Sequence, residues 1–177
     1  MKPFFIGMLL GWLVLPVILL AYLRFGYAPV ATSAPLFPFE ELLANAAVQA
    51  RISREAPKQA ALPPSDPNLL AGAKIYRQYC VDCHGINHEP ETPLAKGMFP
   101  KPPQFFEQHN MGNDPVGQNY WIVANGIRLT GMPAYRGTLS DEQLWQVSQF
   151  VSNRDKLPQS VTDFLSEAPK TKSPSPK

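Results

Sequence analysis

Cys80-Val81-Asp82-Cys83-His84 holds both cysteines of the chain and one of its three histidines. Two thiols three residues apart on a helical turn present their sulfurs on one side. From there each can form a thioether with a vinyl group of a haem, and the histidine that follows supplies an axial nitrogen to the iron. Cys-x-x-Cys-His is the spacing that attaches a c-type haem. Two other chemistries use a Cys-x-x-Cys pair. A structural zinc site needs four ligands at sensible spacing, and no further cysteine is available. A redox dithiol is expected beside a βαβ pattern, and the residues around this motif do not read as strands.

A second ligand would come from a soft donor on another element. Thr130-Gly131-Met132-Pro133-Ala134 places a methionine in a tight Gly/Pro turn, poorly suited to an ordinary core residue. A thioether is a soft ligand that suits haem iron. Met98, Met111, His88 and His109 are the other candidates. His88 lies four residues beyond His84, too near along the chain to reach the opposite face. His109 sits in the polar stretch EQHNMGND and reads as a solvated loop residue. Met132 is therefore the leading axial candidate.

Three short helices must position these groups. One begins at Asp66-Pro67, where Asp suits a cap and Pro the first helical position, and runs through Leu69, Ala73 and Tyr76 into the cysteine motif. Gly72 costs helix propensity there, so a close backbone crossing is expected at that point. A second begins at Asp114-Pro115 and ends at Asn125-Gly126 with a glycine cap. A third begins at Ser140, with Gln143 completing a capping box and Leu139 and Leu144 a hydrophobic staple. Leu144, Val147 and Val151 then recur at helical spacing. No alternating run long enough for a sheet lies between them. Three short helices bury little core alone, and a flat apolar cofactor would fill the middle.

The order GAKIYRQYCVDCHG, a proline-rich loop, a helix ending in NGI, then TGMPAY and LSDEQLWQVSQFV resembles the class I cytochromes c, and in particular a membrane-anchored bacterial monohaem member. The resemblance covers about residues 67–153. It implies an all-α fold of three main helices and loops around one haem c. The first and last helices would cross near Gly72 and Tyr76, with Trp145 or Phe150 as partners. It also implies covalent attachment at Cys80 and Cys83 and axial ligation by His84 and Met132. Family members hold the other histidine nitrogen with a proline carbonyl, and Pro90, Pro93, Pro100, Pro102 and Pro103 are all candidates. Arg128, Trp121 and Tyr135 are candidates for the propionates or haem edge, and equally for a surface charge and packed aromatics.

Outside that domain, residues 4–23 (FFIGMLLGWLVLPVILLAYL) are uncharged and almost wholly apolar. Twenty residues at about 1.5 Å each span roughly 30 Å, the hydrocarbon thickness of a bilayer. A cleaved signal peptide is the rival reading, with Ala31, Ser33 and Ala34 near a possible cleavage point. The apolar run is longer than a signal core, which favours an uncleaved single-pass anchor over residues 1–25. Residues 26–65 read as a linker, with prolines at both ends and a spacer or docking helix over 39–55. The haem domain is expected over 66–157 and a disordered Pro/Ser/Lys-rich tail over 158–177, with Phe164 and Leu165 as a candidate small anchoring point.

The net charge is +2, and residues 66–157 are close to neutral. That gives no reason to expect a nucleic-acid partner. His/Met ligation leaves iron no open position, so the expected role is a one-electron carrier and not an enzyme, with no small-molecule substrate. The class expectation puts the amino terminus in the cytoplasm and the haem domain on the outer face of the cytoplasmic membrane. Its partners would be membrane redox complexes. A quinol-oxidising complex or dehydrogenase would donate, and an oxidase, reductase or photosynthetic centre would accept. Two alternatives are a fixed cytochrome c subunit of a respiratory or photosynthetic complex, and a haem sensor or peroxidase-like enzyme in which Met132 dissociates.

Overall fold

The computed structural model describes residues 2–86, 89–107 and 114–167, with the side chains of α1 described at residues 7, 8 and from 10 onward. His88, His109 and Met111, weighed above as ligands, lie outside the described residues, as do residues 168–177. Every regular element among the described residues is helical, as the cytochrome c fold requires.

The chain divides into two compact units, Met1–Asn45 and Ala46–Lys177. The first contains α1 (Lys2–Arg24), with Pro16 inside it. Its leucine, isoleucine and valine side chains from Leu10 to Leu23 are exposed. The loop after it turns back so that the Tyr22 ring stands 6.2 Å from both Tyr27 and Phe37. Among the described residues no helix is long and apolar enough to cross a membrane.

The helix α2 (Glu40–Glu55) carries Glu40 and Glu41 in its first turn and Arg54 in its last, as the helix dipole favours. It passes from the first unit into the second. Its later half is more than a spacer: Ile52 is buried, and Glu55 accepts from the Trp121 indole at 3.2 Å. Pro57 lies so close to Gly117 that a Cβ there would stand 1.9 Å from the Pro57 carbonyl oxygen. The compact unit thus begins about twenty residues before Asp66.

The second unit is organised by α3 (Asp66–Tyr79), α6 (Val116–Asn125) and α7 (Asp141–Ser152), with the short α4 (Val81–His84) and α5 (Pro93–Gly97) in the intervening loops. The cap of α3 is Ser65, one residue before the expected Asp66, which instead sits in the first turn with Pro67. The α7 capping box forms as expected: Ser140 Oγ accepts from Gln143 N at 3.2 Å, and Gln143 Oε1 accepts from Ser140 N at 2.9 Å.

α3 and α7 cross at Gly72. A Cβ at that position would lie 2.2 Å from the Gln146 carbonyl oxygen and 2.8 Å from Phe150 Cβ, so only glycine permits the approach. One turn on, Tyr76 meets Phe150 with ring centroids 5.2 Å apart. Trp145 takes no part in that contact and stacks on Tyr120 of α6, at 4.2 Å and 17°.

The stretch expected to be disordered after Leu157 contains α8 (Gln159–Ser166). Val161 is fully buried, the helix packs on α3, and the Arg77 guanidinium lies 4.0 Å over the Phe164 ring. A few apolar side chains at helical spacing outweigh the polar composition around them.

Candidate functional site

α3 ends where the Cys80 N–H donates to the Tyr76 carbonyl at 2.8 Å, and α4 follows at once. Cys83 and His84 both donate their backbone N–H back to the Cys80 carbonyl, at 3.1 and 2.9 Å. This single turn sets the two sulfurs and the imidazole beside one cleft. Gly85 stops it at φ +70°, in the left-handed region that glycine tolerates. A Cβ there would meet Gln104 Oε1 at 2.6 Å.

Residues 102–105 brace the turn. The His84 Nδ1–H donates to the Pro103 carbonyl at 3.0 Å. Because a carbonyl can only accept, the proton is on Nδ1 and Nε2 keeps its lone pair. The Phe105 ring lies parallel to the imidazole, 4.6 Å away at 11°, and Phe105 N–H donates to the His84 carbonyl at 3.3 Å. Buried Gln104 donates through Nε2 to the carbonyls of Cys83 (2.9 Å) and Pro102 (3.1 Å). Burial holds the His84 pKa below its ordinary value, and the bond to Pro103 opposes that shift. The ring is neutral at neutral pH, the form that binds metal.

The two thiols are likewise uncharged. Burial, and then the neighbouring Cys83, push Cys80 up to about 12. Burial, and then Asp82, raise Cys83. A thiol-disulfide catalyst needs a lowered pKa, so this environment is the reverse of a redox dithiol. Among the described residues no group of three His, Cys, Asp or Glu side chains is placed to hold a metal ion. A zinc site therefore has no support there.

Met132 lines the same cleft as Cys80, Cys83 and His84. Its loop is fixed from α6. Gly126 turns the chain at φ +65° and leaves no room for a side chain, since a Cβ would lie 2.7 Å from the Met132 oxygen. Ile127 N–H donates to Met132 O at 3.1 Å, and Thr130 Oγ1 accepts from Met132 N at 3.1 Å. Tyr135 and Arg136 return their N–H groups to the Val123 and Ala124 carbonyls of α6.

Met98 also lines the cleft, with its methyl against Gly131, where a Cβ would come within 1.7 Å of it. Tyr135 lines the cleft too, whereas Trp121 and Arg128 do not. The cleft is open to solvent at its mouth, and its walls are mostly aromatic, aliphatic and proline side chains. A neutral imidazole nitrogen, two uncharged thiols and a thioether around an apolar slot are the donor set a haem c requires, and the residues fit it.

Residues 67–151, just under half of the chain, match the family described as "Cytochrome C oxidase, cbb3-type, subunit III". The match supports a c-type cytochrome domain over these residues. A cytochrome c domain carries haem c and works by haem-based electron transfer. A quinohemoprotein alcohol dehydrogenase of Pseudomonas putida, ADH-IIG, is 31% identical over 101 residues. Those residues are 56% of this chain and 12% of that protein, so the chain spans about an eighth of its length. A chain in the reducing HAO-like protein complex of Kuenenia stuttgartiensis shares 28% identity, with a TM-score of 0.44. The match covers 51% of this chain and 44% of that one.

Sequence reasoning did not single out Gln104, Phe105 or Arg154 of this cytochrome domain. The only signal was the run PPQFF, whose glutamine and aromatics follow two prolines. It gave no indication that Gln104 and Phe105 grip the cysteine turn.

Proposed function

We propose that the protein is a membrane-tethered one-electron carrier, its single haem bonded through Cys80 and Cys83 and ligated by His84 and Met132. The observation that carries this reading is the His84 bond to Pro103. It leaves the Nε2 lone pair for a metal in a cleft that Met132 and both thiols share. Two strong-field axial ligands leave no position for a substrate, so the chain catalyses no conversion of its own. Methionine ligation favours the reduced iron and raises the potential.

The tether rests on the twenty apolar residues 4–23 of the sequence, since no helix among the described residues is itself long and apolar enough to cross a membrane. It would place the amino terminus in the cytoplasm and the haem domain on the outer face of the cytoplasmic membrane. Confinement to that surface raises the effective concentration near membrane-bound donors and acceptors. A quinol-oxidising complex or dehydrogenase fits upstream, and an oxidase, reductase or photosynthetic centre downstream.

The family description favours a second reading, a fixed subunit of a terminal oxidase complex. Detergent extraction from membranes separates the two. The carrier version predicts a monodisperse haem protein of 19.7 kDa that resists carbonate washing. A stoichiometric complex would establish the second reading. Carbon monoxide binding to the reduced protein at neutral pH would overturn both in favour of an open-iron sensor or enzyme.

A further inference from the structure

The aromatic ring behind His84 rests on a buried cation. Arg154 opens the short 3-10 turn Arg154–Lys156 that follows α7, and it is only 7% exposed. Its Nε donates to the Phe105 carbonyl at 2.7 Å and its Nη1 to the Val151 carbonyl at 3.2 Å. The guanidinium carbon lies 5.9 Å from the centre of the Phe105 ring. Nη2 is buried and, among the described residues, has no hydrogen-bond partner. Among those residues the ion pairs are those of Arg51 and Arg54 with Glu55, and no carboxylate side chain pairs with Arg154.

A buried guanidinium without a counter-ion is costly and does not arise from packing alone. A cation closing the end of α7 would account for the bond to Val151. It would not account for the bond to Phe105 or for a nitrogen left unpaired.

Two routes lead from Arg154 to the histidine. The first is mechanical. Arg154 holds the Phe105 carbonyl, the Phe105 ring lies flat on the imidazole, and Pro103, two residues earlier, accepts from Nδ1. The second is electrostatic. A guanidinium keeps its charge at every accessible pH, and in a poorly polarisable interior that charge opposes a further positive charge on nearby iron. Its field reaches the cleft wall: burial raises the Tyr76 phenol well above its usual value, while Arg154 acts to lower it.

We infer that Arg154 is a positioning residue for the histidine side of the haem, holding Phe105 against His84, and that its buried charge raises the reduction potential. The inference rests on the haem reading above.

The test compares the full-length protein with Arg154→Met, Arg154→Gln and Arg154→Lys by redox titration and visible spectra. Loss of charge in Met and Gln should raise the oxidised-to-reduced ratio at a fixed solution potential about tenfold, or about 59 mV for one electron. Lysine, which keeps the charge, should restore more than half of that shift. Glutamine should sit closer to the parent in its spectrum than methionine, because it retains a donor for the Phe105 carbonyl.

A neutral variant that takes up haem and stays within twofold of the parent ratio overturns the inference. So does a lysine variant as low as methionine. If neither neutral variant takes up haem, the decision passes to lysine: a potential within twofold of the parent supports the charge-setting role. A lysine variant that also fails to take up haem, or that is shifted tenfold, leaves Arg154 a purely architectural residue. A parent protein without covalent haem would sink the haem reading itself, a separate outcome visible before any variant is made.

Discussion

The Tyr135 hydroxyl donates to the Tyr79 carbonyl at 3.0 Å, and the two rings meet edge to face with centroids 5.8 Å apart. One residue beyond Tyr79 is Cys80, and three residues before Tyr135 is Met132. The bond therefore ties the loop that carries the thioether to the helix that carries the first thiol, across 56 residues of sequence. Tyr135→Phe would leave the ring contact and remove the bond. We expect a stability loss of about 1 kcal/mol in denaturant titration, with a broadened signal from the methionine-ligated form.

Met132 and Met98 share one cleft but differ in what fixes them. Met132 is bonded through its backbone to Ile127 and Thr130, whereas Met98 enters from the end of α5 with its methyl on Gly131. Met132→Ala should abolish the weak red-edge absorbance of thioether-ligated ferric haem and admit carbon monoxide to the reduced protein. Met98→Ala should do neither. The reverse pattern would transfer the ligand to Met98.

Cys80→Ala and Cys83→Ala should each leave one thioether, with the haem still bound to the polypeptide in denaturing gels. The pyridine haemochrome band should move toward longer wavelength. The double variant should lose haem on denaturation. Retention of haem by the double variant would contradict covalent attachment at this pair.

Gly72→Ala tests the helix crossing. Alanine is favoured over glycine within a helix by roughly 1 kcal/mol. Here its methyl would meet the Gln146 carbonyl oxygen at 2.2 Å, and backbone cannot swing aside as a side chain can. We expect a net loss on the order of 2 kcal/mol, the usual scale of core overpacking, read as a lower unfolding midpoint.

The Tyr120 hydroxyl donates to Asp141 at the start of α7. Burial first, and then that bond, raise its pKa above the ordinary value of 10.0. A group whose pKa is higher folded than unfolded contributes its stability in full below the unfolded value and loses it as pH rises through the folded one. Stability should therefore decline above about pH 10, and Tyr120→Phe should make that decline shallower without steepening any loss in acid.

Much of this site was legible because its chemistry is local. Cys80, Cys83 and His84 occupy one turn, and a turn's geometry follows from spacing alone. Gly72 and the Ser140 capping box were readable for the same reason, since each expresses a backbone requirement at a single position. The proline that orients His84 was not readable. Five prolines follow the motif at plausible distances, and the choice of Pro103 depends on how Gln104 and Phe105 fold back onto the turn. Arg154 was further out of reach, 49 residues from the carbonyl it holds. The α8 helix was missed because Val161 and Phe164 are few among polar neighbours, and only the surface of α3 gives them a place to pack.

The contact between Pro57 and Gly117 bears on how the chain can be cut. Residues 67–151 are the recognisable part of the cytochrome domain, yet the Pro57 carbonyl occupies the space where a side chain at 117 would project. Ile52, five residues earlier, is almost completely buried. A fragment trimmed to the recognisable boundaries would leave a bare seam at the start of α6, open to water. The working module is thus wider than its signature, and a graft onto another protein should begin no later than Ala46.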